Sequence, residues 1–578
     1  MRFGSRRTAL ALSATLMAAA LACGLLAAPA RAGGHVLRIH LVWTNDVHGH
    51  VASEGATFIS PNFPPPLGGG ASAAAYVEKL RGEVAGKPDE AVVLVDAGDT
   101  WQGAPVGTLS AGLVMEEYFN ALDYDVVIPG NHEFDKGKEV PIRMAANMKR
   151  KFVCANIFKA ETYRDGTGEL VDWVEPYRIV ERAGLRIGII GATTPGTRQM
   201  AFAEHIQGLE FGPILPAVEK YRDILNQEGV DVVFLVVHEG LPFDSREAWK
   251  DIVAREARGE NIRAHLRGAI DLAHVLEGVP VIVGGHTHRG YRDPWIDPVT
   301  QTMVLETFGN GSSLGHVVLK FDAATKMLVG WESPRRDGVL VTLFEDEWWP
   351  EPEMREKLRP FIEESQKGLD VKVGSTRVEL SRRGGNNSIM GNFVTEAMRS
   401  VFDADLAFTN TGGLRADLPE GDITAEGVFR VLPFDNTVVI VRLDGRTLRR
   451  LFDRRSRRGS SGVAQSGAQL VVDPDAPEGG RILEFTIGGR PVHPDSVYRA
   501  VTTDYLMEGN SGFDLLAQIP QDQVEYTQML WRDVVTRYLE KNSPVRPRRD
   551  DRWVEKPGAE MAPYLRGWES GARAPGSN

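Results

Sequence analysis

Cysteine is almost missing from this chain of 578 residues, which contains only Cys23 and Cys154. Cys23 lies in an apolar N-terminal stretch that we expect to be removed, so Cys154 would remain alone. A scaffold held by disulfides is therefore excluded, and so is a metal site built from several thiolates. Cys154 follows the apolar pair Phe152-Val153, which favours buried packing over reactivity.

An excess of positive charge is also missing. The formal net charge is −12 at pH 7, from 66 Lys and Arg against 78 Asp and Glu. Binding to nucleic acid without sequence preference depends on neutralising phosphates with Lys and Arg, so this composition argues against a nucleic-acid partner. Within the arginine-rich run from Arg442 to Arg458, the helical spacing of Leu448, Leu451 and Phe452 favours a solvated helix face.

Long apolar runs are missing after residue 32. Before it, three early arginines precede an Ala- and Leu-rich stretch, and Ala30-Arg31-Ala32 has the pattern of a cleavage site. We therefore predict that residues 1–32 are a signal peptide, that the protein is periplasmic or secreted, and that it has no stable membrane insertion after cleavage. Ser5-Arg6-Arg7 resembles a twin-arginine signal, while a lipoprotein at Cys23 and an uncleaved anchor are alternatives.

Short apolar runs rich in β-branched residues are abundant, and five of them end in residues that bind metals. Such runs, bounded by glycine, are typical of buried strands. Ligands of open α/β sheets bind beyond the carboxyl ends of the strands, so five strand ends in one sheet would bring these side chains to one edge. The runs are LRIHLVW before TNDVHG, AVVLVDA before GD, YDVVIP before GNHEFD, VDVVFLVV before HEG, and VPVIVGG before HTH. The candidate ligands are Asp46, His48, Asp99, Asn131, His238, His286 and His288.

Seven candidate ligands are more than one ion needs. A catalytic zinc-type ion takes about three protein ligands and keeps one position open, so the number favours two divalent ions that share one carboxylate. Imidazole, carboxylate and amide ligands fit zinc, manganese or similar ions. Two ions roughly 3.5–4 Å apart can clamp the oxygens of an in-line phosphoryl displacement. Each motif alone is also compatible with an ordinary loop, and their common context favours the metal site.

His132 directly follows the candidate ligand Asn131, so we expect it beside the metals without binding them. An imidazole that transfers a proton or stabilises charge needs an orienting partner, and Asp135 lies three residues further along. We therefore predict that His132 and Asp135 form a catalytic pair. A structural loop histidine is the alternative.

Together, TNDVHGH, GDTWQG, GNHEFD, HEG and GGHTH resemble the calcineurin-like metallophosphoesterases, and more narrowly the bacterial 5'-nucleotidase and UDP-sugar hydrolase family. The resemblance implies an α/β fold, with a four-layer α/β/β/α sandwich followed by a smaller α/β nucleotide-binding domain. It implies that one metal is bound by Asp46, His48, Asp99 and His288. It implies that the other is bound by Asp99, Asn131, His238 and His286. It also implies that His132, paired with Asp135, stabilises the phosphate transition state or assists the leaving group.

The second half of the chain has its own motifs, MGNF, FTNTGGLR, LPFDN and the stretch from Tyr505 to Phe513. In the resembling family such segments form the nucleotide-binding domain. The resemblance implies that Arg415 holds phosphate, that Asn410 contacts the base or sugar, and that Phe434 and Tyr505 sandwich the base. The substrate set that it implies is Asn410, Gly413, Arg415, Phe434 and Tyr505. Taken without the family, Phe434 and Tyr505 are better interpreted as core aromatics.

Two departures from the family pattern concern the nucleoside. The family usually has Gly-Gly-Asp-Gly near the last motif, with its Asp on the ribose hydroxyls, whereas this chain has Gly509-Asn510-Ser511-Gly512. The family's second phosphate arginine lies just before the Met-Gly-Asn motif, where Arg382 and Arg383 stand here. Both departures leave the predicted metal site intact and affect the nucleoside specificity.

The length of the chain predicts more than one domain. We predict a metallophosphoesterase domain at residues 33–340, a linker helix at 341–370, a substrate-binding domain at 371–545 and a flexible tail at 546–578. The predicted function is a secreted dinuclear-metal phosphohydrolase acting on nucleoside 5'-monophosphates and related nucleotides. Alternatives are a 2',3'-cyclic-nucleotide phosphodiesterase/3'-nucleotidase and a UDP-sugar hydrolase. A thiosulfohydrolase of sulfur oxidation is less favoured, because that group departs from the GNHEFD motif at the position of Asn131. A non-catalytic secreted ligand-binding protein is an alternative of a different class.

Overall fold

The structure, a computed structural model, describes residues 35–56, 59–60, 63–460, 462–566 and 568. The predicted signal peptide at residues 1–32 lies outside the described residues. Among the described helices, none combines the length and the apolar character needed to cross a bilayer.

Strands and helices are distributed over the two halves of the chain as follows. The strands of the first half are β1 (Val36–Thr44), β2 (Glu54–Gly55), β3 (Pro66–Leu67), β4 (Glu90–Asp96), β5 (Val126–Val127), β6 (Phe152–Val153), β7 (Ile157–Lys159), β8 (Val174–Glu175), β9 (Tyr177–Arg182), β10 (Leu185–Ala192), β11 (Leu209–Phe211), β12 (Val232–Val237), β13 (Val281–Val283), β14 (Trp295–Ile296), β15 (Met303–Leu305), β16 (Ser313–Asp322), β17 (Leu328–Glu332) and β18 (Leu340–Thr342). Those of the second half are β19 (Lys372–Thr376), β20 (Leu406–Asn410), β21 (Gly421–Thr424), β22 (Thr437–Asp444), β23 (Val463–Ser466), β24 (Ala468–Val472), β25 (Ile482–Ile487), β26 (Arg490–Pro491), β27 (Val497–Thr503), β28 (Val524–Leu530) and β29 (Trp553–Glu555). The α-helices are α1 (Gly69–Val84), α2 (Pro105–Leu109), α3 (Leu113–Leu122), α4 (Glu139–Asn147), α5 (Thr197–Met200), α6 (Ile214–Gln227), α7 (Ser245–Ala257), α8 (Ala269–Val275), α9 (Pro352–Gln366), α10 (Ile389–Val401), α11 (Ala425–Val431), α12 (Gly445–Arg455), α13 (Asp504–Met507) and α14 (Trp531–Asn542).

Two six-stranded sheets form the centre of the first half. The first has the order β17-β16-β1-β4-β5, with β18 pairing with β16, and the second has the order β14-β15-β13-β12-β10-β9. β1, β4 and β5 run parallel to one another, as do β10, β12, β13 and β15. The apolar runs of the sequence therefore form buried parallel strands, as predicted.

The two sheets pack face to face, with helices outside each of them. In β1 the side chains alternate, so that Leu37, Ile39 and Leu41 join the core between the sheets. Val42 points to the opposite face and packs with residues of the outer helices. On the second sheet, Leu235 likewise packs against the outer helices α6 and α8. This alternation produces the predicted four-layer α/β/β/α sandwich.

The five ligand-bearing strand ends belong to two sheets instead of one. β1, β4 and β5 lie in the first sheet, while β12 and β13 lie in the second. The expectation of a single sheet was wrong, because an apolar run indicates a buried strand but not the sheet that the strand joins. The carboxyl ends of both parallel sets nevertheless meet, since the His286 backbone N–H lies 2.8 Å from the Asp46 carboxylate.

The second half contains a five-stranded sheet with the order β23-β20-β27-β22-β28 and a four-stranded sheet with the order β26-β25-β24-β29. One face of the larger sheet shares a core with α12 and the smaller sheet. Its other face packs against α10 and α14. The substrate motifs lie at the ends of these elements, since FTNTGGLR begins in β20 and the stretch from Tyr505 begins in α13.

Between the halves, α9 occupies most of the segment predicted as a linker helix. It packs against α2 and α3 of the first half, where Met354 and Leu358 are buried. β18 extends the first half slightly past the predicted boundary at residue 340, because Thr342 pairs with Ser313 of β16. The chain therefore passes to the second half in the short stretch after Gln366.

Residues 546–578 were predicted to be a flexible tail, and this prediction is wrong for the part of the segment that the structure describes. Trp553–Glu555 form β29, which pairs in parallel with β24. Trp553 and Leu565 are buried in the core of the second half. The abundance of Arg, Pro and Gly suggested a loose tail, but backbone pairing with β24 and the burial of Trp553 and Leu565 hold this segment on the sheet.

The packing of β29 is testable. Trp553→Ala should lower the free energy of unfolding by about 3–5 kcal/mol, because it removes a buried indole and leaves a cavity. Trp349→Ala is the matched control, since Trp349 is 68% exposed. Thermal unfolding followed by circular dichroism compares the two variants. Equal melting temperatures would show that the segment contributes little and behaves as a tail.

Candidate metal centre and cavity

Two groups of side chains that could each hold a metal ion lie at the meeting ends of the two sheets. The first consists of Asp46, His48 and His288, and the second of Asp99, His238 and His286. Within each group the ligand atoms lie within 4.8 Å of one another. The members come from four different strand ends, those of β1, β4, β12 and β13, which explains why no single sequence motif contains either group.

In the first group, acceptor atoms face one another. His48 Nδ1 lies 2.6 Å from the Gln102 carbonyl oxygen, so Nδ1 carries the proton and donates it. In the neutral ring, the His48 Nε2 lone pair then faces His288 Nε2 at 3.1 Å and Asp46 Oδ1 at 4.0 Å. Burial is the main reason that the pKa of His48 lies well below its ordinary value, and the charge of His288 adds to the effect. A neutral imidazole with a fixed tautomer is the form that binds a metal.

The second group has the same construction. His238 Nδ1 donates to the Ala97 carbonyl oxygen at 2.7 Å, and Nε2 lies 3.1 Å from Asp99 Oδ2 and 3.2 Å from Asn131 Oδ1. Burial lowers the pKa of His238, but the charge of Asp99 outweighs it and raises the pKa to about 10. Three atoms with lone pairs around one point require either a proton or a cation between them. This set of ligand atoms therefore fits a divalent metal ion.

Asp99 lies between the two groups. Its Oδ2 is 3.1 Å from His238 Nε2, 4.0 Å from His48 Nε2 and 4.0 Å from His132 Nε2. Its other oxygen, Oδ1, accepts from the His132 backbone N–H at 2.8 Å. A carboxylate in this position can serve both groups.

The turns that hold these side chains are strained. Positive φ values, which non-glycine residues rarely adopt, occur at five of the seven predicted ligands. They are Asp46 (49°), His48 (50°), Asp99 (55°), His286 (74°) and His288 (55°). Such conformations persist where the surroundings hold them, and they concentrate at functional sites.

His132 and Asp135 lie beside the metal groups and contact each other. His132 Nδ1 is 2.7 Å from Asp135 Oδ2. Burial lowers the pKa of His132, but the charges of Asp135 and Asp99 outweigh it and raise the pKa above its ordinary value. The pair thus presents an imidazole with a fixed orientation and a preference for the protonated form.

Two buried glutamates that sequence reasoning missed support the ligand turns. The Glu133 carboxylate accepts from the backbone N–H groups of Asp99, Thr100 and Gly130, at 3.1, 2.8 and 2.5 Å. It therefore ties the Asp99 turn to the Asn131 turn. The sequence signal that could have identified Glu133 is its position as an acidic residue within the GNHEFD motif. Glu306 occupies a comparable place on the second sheet, where its side chain accepts from the backbone N–H groups of Leu241 and Arg289.

A cavity of about 640 Å³ connects the metal groups with the second half of the chain. From the first half it is lined by four of the predicted ligands and by His132 and Asp135. From the second half it is lined by the whole predicted substrate set, Asn410, Gly413, Arg415, Phe434 and Tyr505. The volume suits a ligand of nucleotide size.

Arg415 and Phe434 reach across the cavity to the metal side. Arg415 Nη2 lies 3.3 Å from His48 Nε2. The Phe434 ring stacks on His132, with centroids 5.3 Å apart and planes 20° apart. Arg382, by contrast, is paired with Asp417 at 3.0 Å and is not among the residues that line the cavity.

At the other end of the cavity, polar groups surround Ser511. The hydroxyls of Tyr505 and Ser511 are 3.1 Å apart, and Asn410 Nδ2 lies 3.4 Å from the Ser511 oxygen. The Phe202 ring from the first half contacts the Tyr505 ring edge-on, with centroids 5.9 Å apart. Both halves therefore close this end.

Comparison with known families agrees with this architecture. Residues 39–290 match the calcineurin-like phosphoesterase family, and residues 371–518 match the 5'-nucleotidase C-terminal domain. The chain belongs to the 5'-nucleotidase family of calcineurin-like phosphoesterases. It is therefore a metal-dependent phosphoester hydrolase.

One sequence relative and two solved structures each align with most of this chain. Protein UshA of Yersinia enterocolitica is 24% identical over 571 residues, which cover 92% of this chain and 97% of the relative. The structure of a 5'-nucleotidase precursor from Thermus thermophilus has a TM-score of 0.76 at 24% identity and covers 90% of this chain and 99% of its own. A sulfate thiohydrolase, SoxB, from Thermus thermophilus has a TM-score of 0.72 at 18% identity and covers 91% and 98%. The two structural likenesses show the shared fold.

The closeness of the Asp99 and Asn131 turns leads to a prediction for Gly130. A Cβ at this position would lie 2.3 Å from Asp99 Oδ1. Gly130→Ala should therefore displace the carboxylate and lower metal affinity by roughly 10–100-fold, the range for groups that support metal ligands. Gly82→Ala is the matched control, because its Cβ would meet nothing within 4 Å. Metal titrations of both folded variants make the comparison, and unchanged affinity in Gly130→Ala would contradict the described geometry.

Proposed function

We propose that this protein is a dinuclear-metal phosphohydrolase that releases phosphate from nucleoside 5'-monophosphates. One observation carries the proposal: both candidate metal groups, the His132–Asp135 pair and the predicted nucleotide-binding residues surround a single cavity. A substrate with its phosphate at the metals and its base between the aromatic rings would contact both halves at once.

The proposed ligands are those predicted from the sequence. Asp46, His48, Asp99 and His288 would hold one ion. Asp99, Asn131, His238 and His286 would hold the other. When bound, such ions lower the pKa of water and neutralise charge on phosphoryl oxygens. The Nδ1 hydrogen bonds of His48 and His238, which direct each Nε2 toward its group, and the position of Asp99 support this assignment.

The remaining side chains would bind and orient the substrate. Arg415, beside His48, would form charge-assisted hydrogen bonds to the phosphate oxygens. His132, oriented by Asp135, would stabilise the developing charge or give its proton to the departing nucleoside oxygen. Phe434 and Tyr505 would hold the base through stacking, which tolerates different bases.

Three related reactions are alternatives to the proposed one. Cleavage of 2',3'-cyclic nucleotides or UDP-sugars is an alternative. The cavity brings the proposed phosphate-binding and aromatic residues together, and this arrangement does not favour one kind of phosphate ester over another. Hydrolysis of a thiosulfonate is less favoured, since the amide oxygen of Asn131 lies in a ligand position next to His238. We also propose export to the periplasm or beyond, based on the sequence of residues 1–32.

A substrate panel tests the proposal. Metal-loaded protein should release phosphate from AMP, and a chelator should abolish the release. Faster turnover of 2',3'-cyclic AMP or UDP-glucose than of AMP would favour the alternatives, while no turnover of any phosphoester would refute the proposal.

His132 should act in catalysis without holding the metals. His132→Ala should keep both ions and lower kcat by roughly 10²–10⁴, the range for a positioned acid–base group. His205→Ala is the matched control, because His205 lines the same cavity outside both metal groups. Steady-state kinetics with metal analysis make the comparison. A kcat that falls equally in both variants would indicate that His132 has a structural role.

Because Ser511 stands where the resembling family has an aspartate, we expect the ribose to be bound only weakly. A serine hydroxyl is a weaker acceptor for the ribose hydroxyls than a carboxylate, so we expect AMP and deoxy-AMP to differ by less than about tenfold in kcat/KM. Ser511→Asp should raise the preference for AMP by roughly 10–150-fold, the range for a hydrogen bond to a charged group. Asp tolerates the φ of 54° at this position. A strong preference for AMP in the unmodified protein would show that another residue binds the ribose.

A further inference from the structure

A sixth strand end lies at the metal centre without contributing a ligand. β15 (Met303–Leu305) pairs in parallel with β13, so its carboxyl end lies beside the turn that carries His286 and His288. The residue that follows is Glu306, which is 1% exposed. A buried carboxylate is costly unless several donors satisfy it, so its contacts identify its role.

Glu306 joins two ligand-bearing loops. Its Oε2 accepts from the Leu241 backbone N–H at 2.5 Å, three residues after His238. Its Oε1 accepts from the Arg289 backbone N–H at 2.9 Å, directly after His288, and lies 2.8 Å from the Thr287 hydroxyl. One carboxylate therefore fixes the loop of a ligand in each metal group.

The residues after Glu306 hold a third loop. The Thr307 backbone N–H donates to Asn45 Oδ1 at 2.8 Å, and Asn45 Nδ2 donates to Asp46 Oδ2 at 2.7 Å. The Asn310 backbone N–H donates to the Asp46 carbonyl oxygen at 2.6 Å. A shift of this segment would therefore reach Asp46 as well.

We propose that Glu306 is a positioning residue for both metal-binding groups, acting through the Leu241, Thr287 and Arg289 contacts. This inference rests on the two metal groups of the proposed function and not on the identity of the substrate. It predicts that a change at Glu306 weakens the binding of both ions together, although Glu306 contacts neither.

Glu306→Gln tests this role with little change in size. An amide can place only one oxygen, so one of the two backbone N–H groups would face an NH₂ group and lose its acceptor. We expect the affinity for each ion to fall about tenfold or more. Isothermal titration of the metal-free protein with Mn²⁺ alone gives the number of ions bound and both affinities, and metal analysis after desalting checks the number.

Glu116→Gln is the matched control. Glu116 is also a buried carboxylate, but its partners are Arg143 and Asn147, on the outer helices. It should bind two Mn²⁺ ions with unchanged affinity. Wild-type affinity for both ions in folded Glu306→Gln, or loss at one group alone, would overturn the inference.

Thr287→Val gives a second, milder variant if Glu306→Gln does not fold. It removes the hydroxyl that contacts Glu306 and the Leu241 carbonyl oxygen but keeps the side-chain shape, so we expect a smaller loss, about threefold, for both ions. No change in either affinity would overturn the inference. Absence of Mn²⁺ binding in the unmodified protein would instead refute the metal groups of the proposed function, and the positioning role with them.

Discussion

Mutual repulsion between acceptor atoms is the constraint that shapes this protein. Imidazole nitrogens, carboxylate oxygens and an amide oxygen from five strand ends face one another within hydrogen-bonding distance, with their ring protons directed away to backbone carbonyls. Such an arrangement is unfavourable without a cation or protons between the acceptors. The surrounding structure must therefore hold it in place, and a divalent ion bound there would relieve the repulsion.

Several features of the fold serve this purpose. Two sheets present their carboxyl ends together, so that each supplies part of both metal groups. The ligand turns take up positive φ values, and the buried carboxylates of Glu133 and Glu306 tie neighbouring turns together. The second half then adds the Arg415 guanidinium and the rings of Phe434 and Tyr505 across a cavity that both halves line.

Local sequence patterns predicted the parts of this site that depend on nearby residues. The strand ends, their polar residues and the contact between His132 and Asp135 all follow from short segments. The distribution of the strands over two sheets did not, because parallel pairing leaves no local signal. Glu306 and Trp553 were missed for a similar reason: an acid after a three-residue strand and a tryptophan in an Arg-rich segment acquire their roles only through distant partners.

Anomalous diffraction from crystals of the Mn²⁺-loaded protein tests the central claim most directly. The proposal predicts two anomalous peaks roughly 3.5–4 Å apart, the usual spacing of two-metal hydrolytic sites, with the Asp99 carboxylate between them. One peak should be bordered by Asp46 and His288, and the other by His238 and His286. A single peak, or two peaks that do not share Asp99, would contradict it.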